Sequence, residues 1–482
     1  MDNVAFPTAT ADALGPQFIH DLPVELLYEI FLWAVQDNPV ADTNAIQSPW
    51  ALSHVCRQWR LVATSFPCLW STIHVGLTRE SPRHYFSINN TEGLGTALRR
   101  SGTTALTLRV EFPDRELAAG HSHPRDLLKT LASTSRRWKV VKMKASISMF
   151  HELFECVVLG AVPLLQSIHF EVTSDSYWGA TPMTARLAAT FETAPNLRSA
   201  TLFPFLPIRL PSSELRELTT KDLTQTDLSS IIHDLPHLEI LNMAGLRTWH
   251  AIGWAPMLQV HTALREIQIE SVQDLSHFIL PALTHLRLLK PFCSSPHSPD
   301  WRTNLSLDAL KRFILRSGCS IRYLHLPIHE VAPDVTGILS LLVDTTNLRV
   351  DVGNPSVYGD LLETLRSREA LLLPKLDTLE FFGVEMSQEN LENVLDLVRY
   401  RWNHPVLQRI NRVYVENWSF VYEDGHSRLN KTTGRLRAAE DNTFELEGAG
   451  GNGLIEKFNG SSQLENNVVV LQRRKRQSDR RY

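Results

Sequence analysis

The sequence predicts a mixed α/β (α+β) chain. A small helical module opens it, and strand–helix units then lay a parallel sheet on one side and helices on the other. Two observations carry this expectation. Short segments of the form Leu-x-x-Leu-x-Leu recur down the 482 residues, separated by stretches of helical apolar spacing. Ahead of them, residues 19–75 crowd large apolar side chains into a helical period. We divide the chain into a disordered leader at 1–16, a helical module at 17–75, a repeat region at 76–422 and a polar, mostly disordered tail at 423–482.

In the helical module, Asp21 or Leu22 leads into a helix whose first turn holds Pro23, where a missing N–H costs little. Glu25 sits near the positive end of the helix dipole. Leu26, Leu27, Ile30, Phe31 and Ala34 follow as one apolar stripe. A polar segment runs from Gln36 to Gln47, and Ser48-Pro49 reads as a second helix start. Leu52, Val55, Cys56, Trp59 and Val62 make its apolar face, and Pro67, Leu69 and Trp70 close the module. So short a module buries little surface alone. It carries more large apolar residues than three short helices hide, and such a surplus marks an interaction surface.

The repeated segments begin at Leu165, Leu197, Leu215, Leu238, Leu264, Leu283, Ile321 and Leu376, with a degenerate copy near Leu348. Their alternating last positions suit a strand with one buried face. Helical spacing lies between them, as in Leu305-Leu307-Leu310-Phe313-Ile314, Leu361-Leu362-Leu365 and Leu391-Val394-Leu395-Val398. No unit hides its apolar face alone, so neighbours must stack. The pattern resembles a leucine-rich-repeat horseshoe of irregular type. It departs from regular arrays in its step, which runs from 18 residues (Leu197 to Leu215) to 38 (Leu283 to Ile321), the 55 residues from Ile321 to Leu376 being two steps with the degenerate copy between them. Few copies carry the Asn or Cys that normally follows the strand, and Asn242 falls inside one. The rival reading is an α/β domain that happens to be Leu-rich.

Further strands are expected at Ile73–Val75, at Ser101–Val110 and around Trp138, Val141 and Met143, with a helix over Pro124–Ser133. Ile73 follows Trp70 so closely that the join between module and repeats is expected to be rigid. Thr78–Glu92 reads as an excursion. Phe292–Asp300 is a Ser-rich surface loop whose Ser295-Pro296 and Ser298-Pro299 could take phosphate. The tail ends in the basic run Arg473–Tyr482, a solvated tail or a nuclear import signal.

Residue by residue, the helical module resembles an F-box. Leu22-Pro23-x-Glu25-Leu26-Leu27 looks like the opening of that motif, Ile30-Phe31 its continuation, Val55-Cys56-x-x-Trp59-Arg60 its middle and Pro67-x-Leu69-Trp70 its end. The loop 36–47 is longer than the compact family form. That loop, Arg100-Ser-Gly-Thr103 and Ser135-Arg-Arg-Trp138 look like the large F-box families of mushroom-forming (basidiomycete) fungi. The resemblance implies docking to the Skp adaptor and, through it, to the cullin of a ubiquitin ligase, with the repeats binding an unknown protein substrate. Among the anchors expected on the Skp-facing surface are Leu22, Pro23, Leu26, Ile30, Val55, Cys56 and Trp59. Trp59 and Trp70 could be structural instead. Without a partner, the module would be a helical hairpin capping the next domain.

Other features narrow the function. A net charge of −4 gives no electrostatic argument for nucleic acid or membrane. No apolar run is long enough to span a bilayer, and the N-terminus does not read as a secretory signal. Five cysteines, Cys56, Cys68, Cys156, Cys293 and Cys319, include no Cys-x-x-Cys pair, so neither a disulfide framework nor a zinc site is suggested. They read as buried thiols in a reducing compartment, cytoplasmic or nuclear. No nucleotide-binding or zincin motif is present. His121 and His123 read as a surface pair and Cys156 as core. We expect no catalytic residue, no metal and no cofactor. Three readings remain: a substrate-recruiting ligase subunit, a Skp-binding scaffold that delivers nothing for ubiquitination, and a leucine-rich-repeat binding protein with no ligase role.

Overall fold

The computed structural model describes residues 22–35, 49–76, 91–112, 124–158, 160–173, 189–204, 206, 208–221, 223, 225–244, 258–270, 272–289, 307–328, 335–352, 355–367, 371–382, 388–415, 434–438, 443–448 and 457–459. These form a mixed α/β protein in two compact units, Met1–Leu215 and Arg216–Tyr482. The division falls inside the stretch read from sequence as a single repeat region. The expected leader, the 36–47 loop, the His121/His123 pair, Cys293, the Ser-Pro loop and the basic end lie outside the described residues.

The first unit opens with helices α1 (Val24–Val35), α2 (Pro49–Val55) and α3 (Arg57–Ser65), and a 3-10 turn at Pro67–Trp70. One continuous helix was expected from Pro49 through Val62, but the structure breaks it at Cys56. That residue is extended (φ −154°, ψ 176°), and its Sγ accepts the Trp59 N–H at 3.4 Å as an N-cap. Five parallel strands follow: β1 (Thr72–Gly76), β2 (Leu106–Glu111), β3 (Trp138–Ala145), β4 (Ser167–Val172) and β5 (Ser199–Phe203). Between them lie α4 (Thr91–Arg100), α5 (Pro124–Ala132) and α6 (Ile147–Cys156). Register aligns Ile73, Leu108, Val141, Ile168 and Ala200 in one buried row across the sheet.

The second unit continues the scheme. Its parallel neighbours are β6 (Glu217–Lys221), β7 (Ile240–Ala244), β9 (Glu266–Ile269), β11 (His285–Leu288), β12 (Tyr323–Ile328), β13 (Asn347–Val352), β14 (Thr378–Phe382) and β15 (Arg412–Val415). A separate parallel pair joins β8 (Gln259–Val260) to β10 (Phe278–Ile279). The helices are α7 (Gln225–Asp234), α8 (Leu307–Ser317), α9 (Val335–Leu339), α10 (Pro355–Leu365) and α11 (Gln388–Asn403). Leu218, Leu241, Ile267, Leu286, Leu324, Leu348, Leu379 and Val413 make its buried row.

Each of the eight segments picked from sequence begins two residues ahead of a strand, and each first residue is buried. The following carbonyl accepts two N–H groups from the next unit. Arg216 O takes Glu239 and Ile240, Glu239 O takes Arg265 and Glu266, and Thr346 O takes Asp377 and Thr378, all at 2.8–3.0 Å. The degenerate copy near Leu348 is explained by Thr345, which fills the leucine position. It is fully buried and donates its hydroxyl to the Ile321 carbonyl at 2.8 Å.

A local signal missed from sequence is the turn before the strand. Val162-Pro163, Ala194-Pro195, Leu235-Pro236, Leu280-Pro281 and Leu373-Pro374 each start a turn closed by the N–H of the leucine three residues on, at 3.0–3.3 Å. Proline suits the second position of such turns. In one unit His261 replaces the pair: its Nδ1 accepts the Leu264 N–H at 3.0 Å and its Nε2 donates to the Leu235 carbonyl at 2.9 Å.

Two expectations are corrected. Among the described cysteines none is in the buried class: Cys156 and Cys68 are exposed, and Cys56 and Cys319 are half-buried. At the end of α6 the buried place goes to Val157. Burial still pushes the Cys319 thiol up to about 11. Residues 434–459, read as tail, include antiparallel strands β16 (Gly434–Ala438), β17 (Thr443–Gly448) and β18 (Lys457–Asn459) beside β15. Their register sets Arg435 opposite Glu447 and Arg437 opposite Glu445.

Candidate functional site

Helix α1 carries two apolar stripes rather than the single one expected. Leu27 and Phe31 point inward and are buried. Leu26, Ile30 and Trp33, at i, i+4 and i+7, stay 51%, 49% and 75% exposed. Pro23, Val24, Val55 and Leu61 are exposed as well. An i, i+4, i+7 apolar stripe is the pattern by which a helix seats in a partner's groove. Of the residues expected to face a partner, Pro23, Leu26, Ile30 and Val55 are exposed, while Leu22, Cys56 and Trp59 are half-buried. Trp59 lies against buried Phe31 with ring centroids 4.8 Å apart, and Cys56 caps α3. Trp33 was missed, although its i+7 spacing from Leu26 was available in the sequence.

This helical module is joined to the first strands through aromatic and cationic side chains. Trp70 is buried and donates Nε1–H to the Ala63 carbonyl at 2.7 Å. Trp50 meets its ring edge-on at 4.8 Å. The Arg100 guanidinium lies 4.4 Å from the Trp70 ring centre and 4.9 Å from that of Trp50, a cation–π contact to both. Burial lowers the pKa of Arg100. One residue on, Ser101 Oγ accepts Arg137 Nη2–H at 2.6 Å, and Arg137 Nε donates to the Thr104 carbonyl at 3.0 Å. The Arg-Ser-Gly-Thr and Ser-Arg-Arg-Trp segments singled out in the sequence therefore touch each other at this join.

A second site lies on the strand face of the second unit that points away from the leucine rows. Register places Arg287, His325, Arg349 and Glu380 side by side on β11 to β14. Arg287 Nη2 is 3.2 Å from Glu266 Oε1, and its guanidinium lies 5.2 Å from the Tyr323 ring centre. His285 stacks on the other side chain of that pair, Tyr323, at 5.8 Å. Asp351 faces both His325 (3.0 Å to Nε2) and Arg349 (3.5 Å to Nε). Arg349 also lies 3.7 Å from the Phe382 ring centre. Burial raises the Tyr323 hydroxyl and the Glu380 carboxyl, the latter against the opposing pull of Arg349, His325 and Arg287. The cluster was not foreseen, because its members come from separate units and meet only through register.

No group of three or more His, Cys, Asp or Glu suited to a metal occurs among the described residues, and none of their helices is long and apolar enough to cross a membrane. No known protein-family model matches the chain, and no curated protein matches it.

Proposed function

We propose that this chain is a non-catalytic, substrate-recruiting adaptor of a Skp–cullin–F-box ubiquitin ligase. In this reading residues 17–75 are an F-box that docks to Skp. The strand–turn–helix units that follow are an irregular leucine-rich-repeat solenoid that binds a target protein. The observation that carries the docking half is the exposed apolar face of Pro23, Leu26, Ile30, Trp33 and Val55 on a module whose motif order resembles an F-box. An exposed contiguous apolar patch on a globular chain marks an interaction surface. The repeated carbonyl, acting as double acceptor in unit after unit, supports the solenoid half. Catalysis would come from proximity alone, the adaptor raising the effective concentration of a target lysine near the charged ubiquitin carrier.

The test is capture of Skp and cullin by full-length protein and by point variants. Deleting residues 19–75 would also remove most of β1, so it cannot separate docking from folding. Leu26→Asp with Ile30→Asp alters only exposed positions and leaves Leu27 and Phe31 in place. Leu22→Ala with Pro23→Ala tests the start of the motif. Loss of Skp from both folded double variants supports the assignment, and undiminished capture by both removes it. Skp capture without cullin-dependent target turnover would favour an interaction scaffold.

A further inference from the structure

Two neighbouring rows on the strand face of the first unit are charged in different ways. Successive strand residues point to opposite faces, so this face carries the positions that alternate with the buried Ile73, Leu108, Val141 and Ile168. Register sets Glu111, Lys144 and Glu171 side by side on β2, β3 and β4. Signs alternate there, which is the favourable arrangement for facing positions in a sheet. Two residues earlier, register sets His74, Arg109, Lys142 and His169 side by side on β1 to β4. Every member of that row is basic, and like charges at facing positions are unfavourable.

Among the described strand-face residues of β1 to β5, Arg109, Lys142 and Lys144 stand against Glu111 and Glu171. Both carboxylates are engaged: Arg109 Nε lies 2.6 Å from Glu111 Oε1 and Lys144 Nζ 2.8 Å from Glu171 Oε1. Lys142 is exposed in the interior of the basic row, and among the described residues no carboxylate lies within ion-pair distance of it. Beside it His169 is half-buried, its ring edge-on to that of Phe203 at 5.7 Å. Burial lowers the His169 pKa, and Lys142, Arg109 and Lys144 act in the same direction against the pull of Glu171. A carboxylate brought over Lys142 would offset these like-charge contacts, with the contact that Glu171 already makes to Lys144. Neighbouring strands lie about 4.8 Å apart, so the row from His74 to His169 spans roughly 14 Å, the reach of about four extended residues.

We infer that this row binds an acidic segment of a partner protein, with Lys142 pairing to a glutamate or aspartate and Arg109 and His169 flanking it. The inference names the chemistry of the target and rests on the target-binding half of the proposed function, not on the F-box half.

Full-length protein and its Lys142→Gln and Lys139→Gln variants would be applied to an immobilised array of short unstructured peptides whose two alternate central residues are Glu, Gln or Lys. The expected result is selection of the Glu peptides by the native protein. Lys142→Gln should weaken that binding about fivefold and flatten its salt dependence. Lys139→Gln removes an equal exposed charge from the same strand but outside the row, and should leave the binding unchanged. The His169 ring, assigned by its loss in His169→Gln, should titrate at higher pH with the Glu peptide bound and stay in place with the Gln peptide. Skp capture, read on the same samples, should be unchanged in every variant, so failure of docking and failure of recognition are seen separately. Selection of Lys peptides, no selection by charge, equal losses in the two lysine variants, or a His169 titration unmoved by the bound Glu peptide would each overturn the inference.

Discussion

Glu380 and Arg401 show what burial does to a charge on this chain. Burial holds the Glu380 carboxyl above its ordinary value, and three neighbouring cations only partly oppose this. A carboxylate whose folded-state pKa is raised favours folding below its ordinary range, and that contribution is lost as pH rises through the raised value. Glu380→Gln should therefore match the native protein in urea at about pH 4 and exceed it in stability at neutral pH, near-isosterically. A less stable variant at neutral pH would show that the ion-pair attractions outweigh burial. Arg401 is the opposite case. It is fully buried in α11, and burial pushes it down to about 10. Its guanidinium donates to the carbonyls of Leu373 at 2.6 Å, Leu372 at 3.2 Å and Gln408 at 3.4 Å. Leu373 is the one described non-glycine residue with positive φ, at 48°. Arg401→Ala would take the guanidinium from the Leu372 and Gln408 carbonyls, while the Leu373 carbonyl keeps the Leu376 N–H, and should cost about 3 kcal/mol, read as the denaturation midpoint. No pattern in the sequence marks this arginine, because a lone basic residue near a helix end reads as solvated.

At the scale of elements, the strands were legible and the first helices only partly so. A leucine two residues ahead of a strand recurs because each unit must bury that residue in the same place, and the constraint leaves a written pattern. The break at Cys56 leaves none: Val55-Cys56-Arg57 has no proline or glycine, and the helix ends there through a cap on α3. A serine hydroxyl is a better N-cap acceptor than a thiol. Cys56→Ser should hold or raise stability by a few tenths of a kcal/mol, while Cys56→Ala should lower it by about 1 kcal/mol, both in equilibrium unfolding. A lack of difference between the two would mean that the thiol bond at 3.4 Å contributes nothing. The same logic separates units with a leucine at the turn from the one with His261. There the imidazole replaces a backbone bond and adds another to Leu235, so His261→Ala should loosen β8 and the start of β9 in hydrogen exchange.

At the scale of the molecule, a recruiting adaptor works only if the docking module keeps a fixed attitude to the region that follows it. The first unit contains such a fixture, and it rests on few residues. Arg100 ends α4 and lies against both Trp50, from the second helix, and Trp70, from the closing turn. Gly102, at φ +55°, lets the chain reverse after α4, and Ser101 is tied to Arg137 at the head of β3. Arg100→Ala removes the shared contact to both rings while leaving their own edge-on packing and the Trp70–Ala63 bond. The exposed face of Leu26, Ile30 and Trp33 lies on a different helix and is not altered. Under the proposed function, the expected outcome is a folded protein that captures Skp as well as before, with faster amide exchange in 49–70 and slower ubiquitin transfer to the target. The loss in stability should be about 1–2 kcal/mol. If Skp capture fell together with transfer, Arg100 would be holding the module's fold rather than its orientation. If transfer were untouched despite faster exchange, a rigid join would not be a requirement of the mechanism.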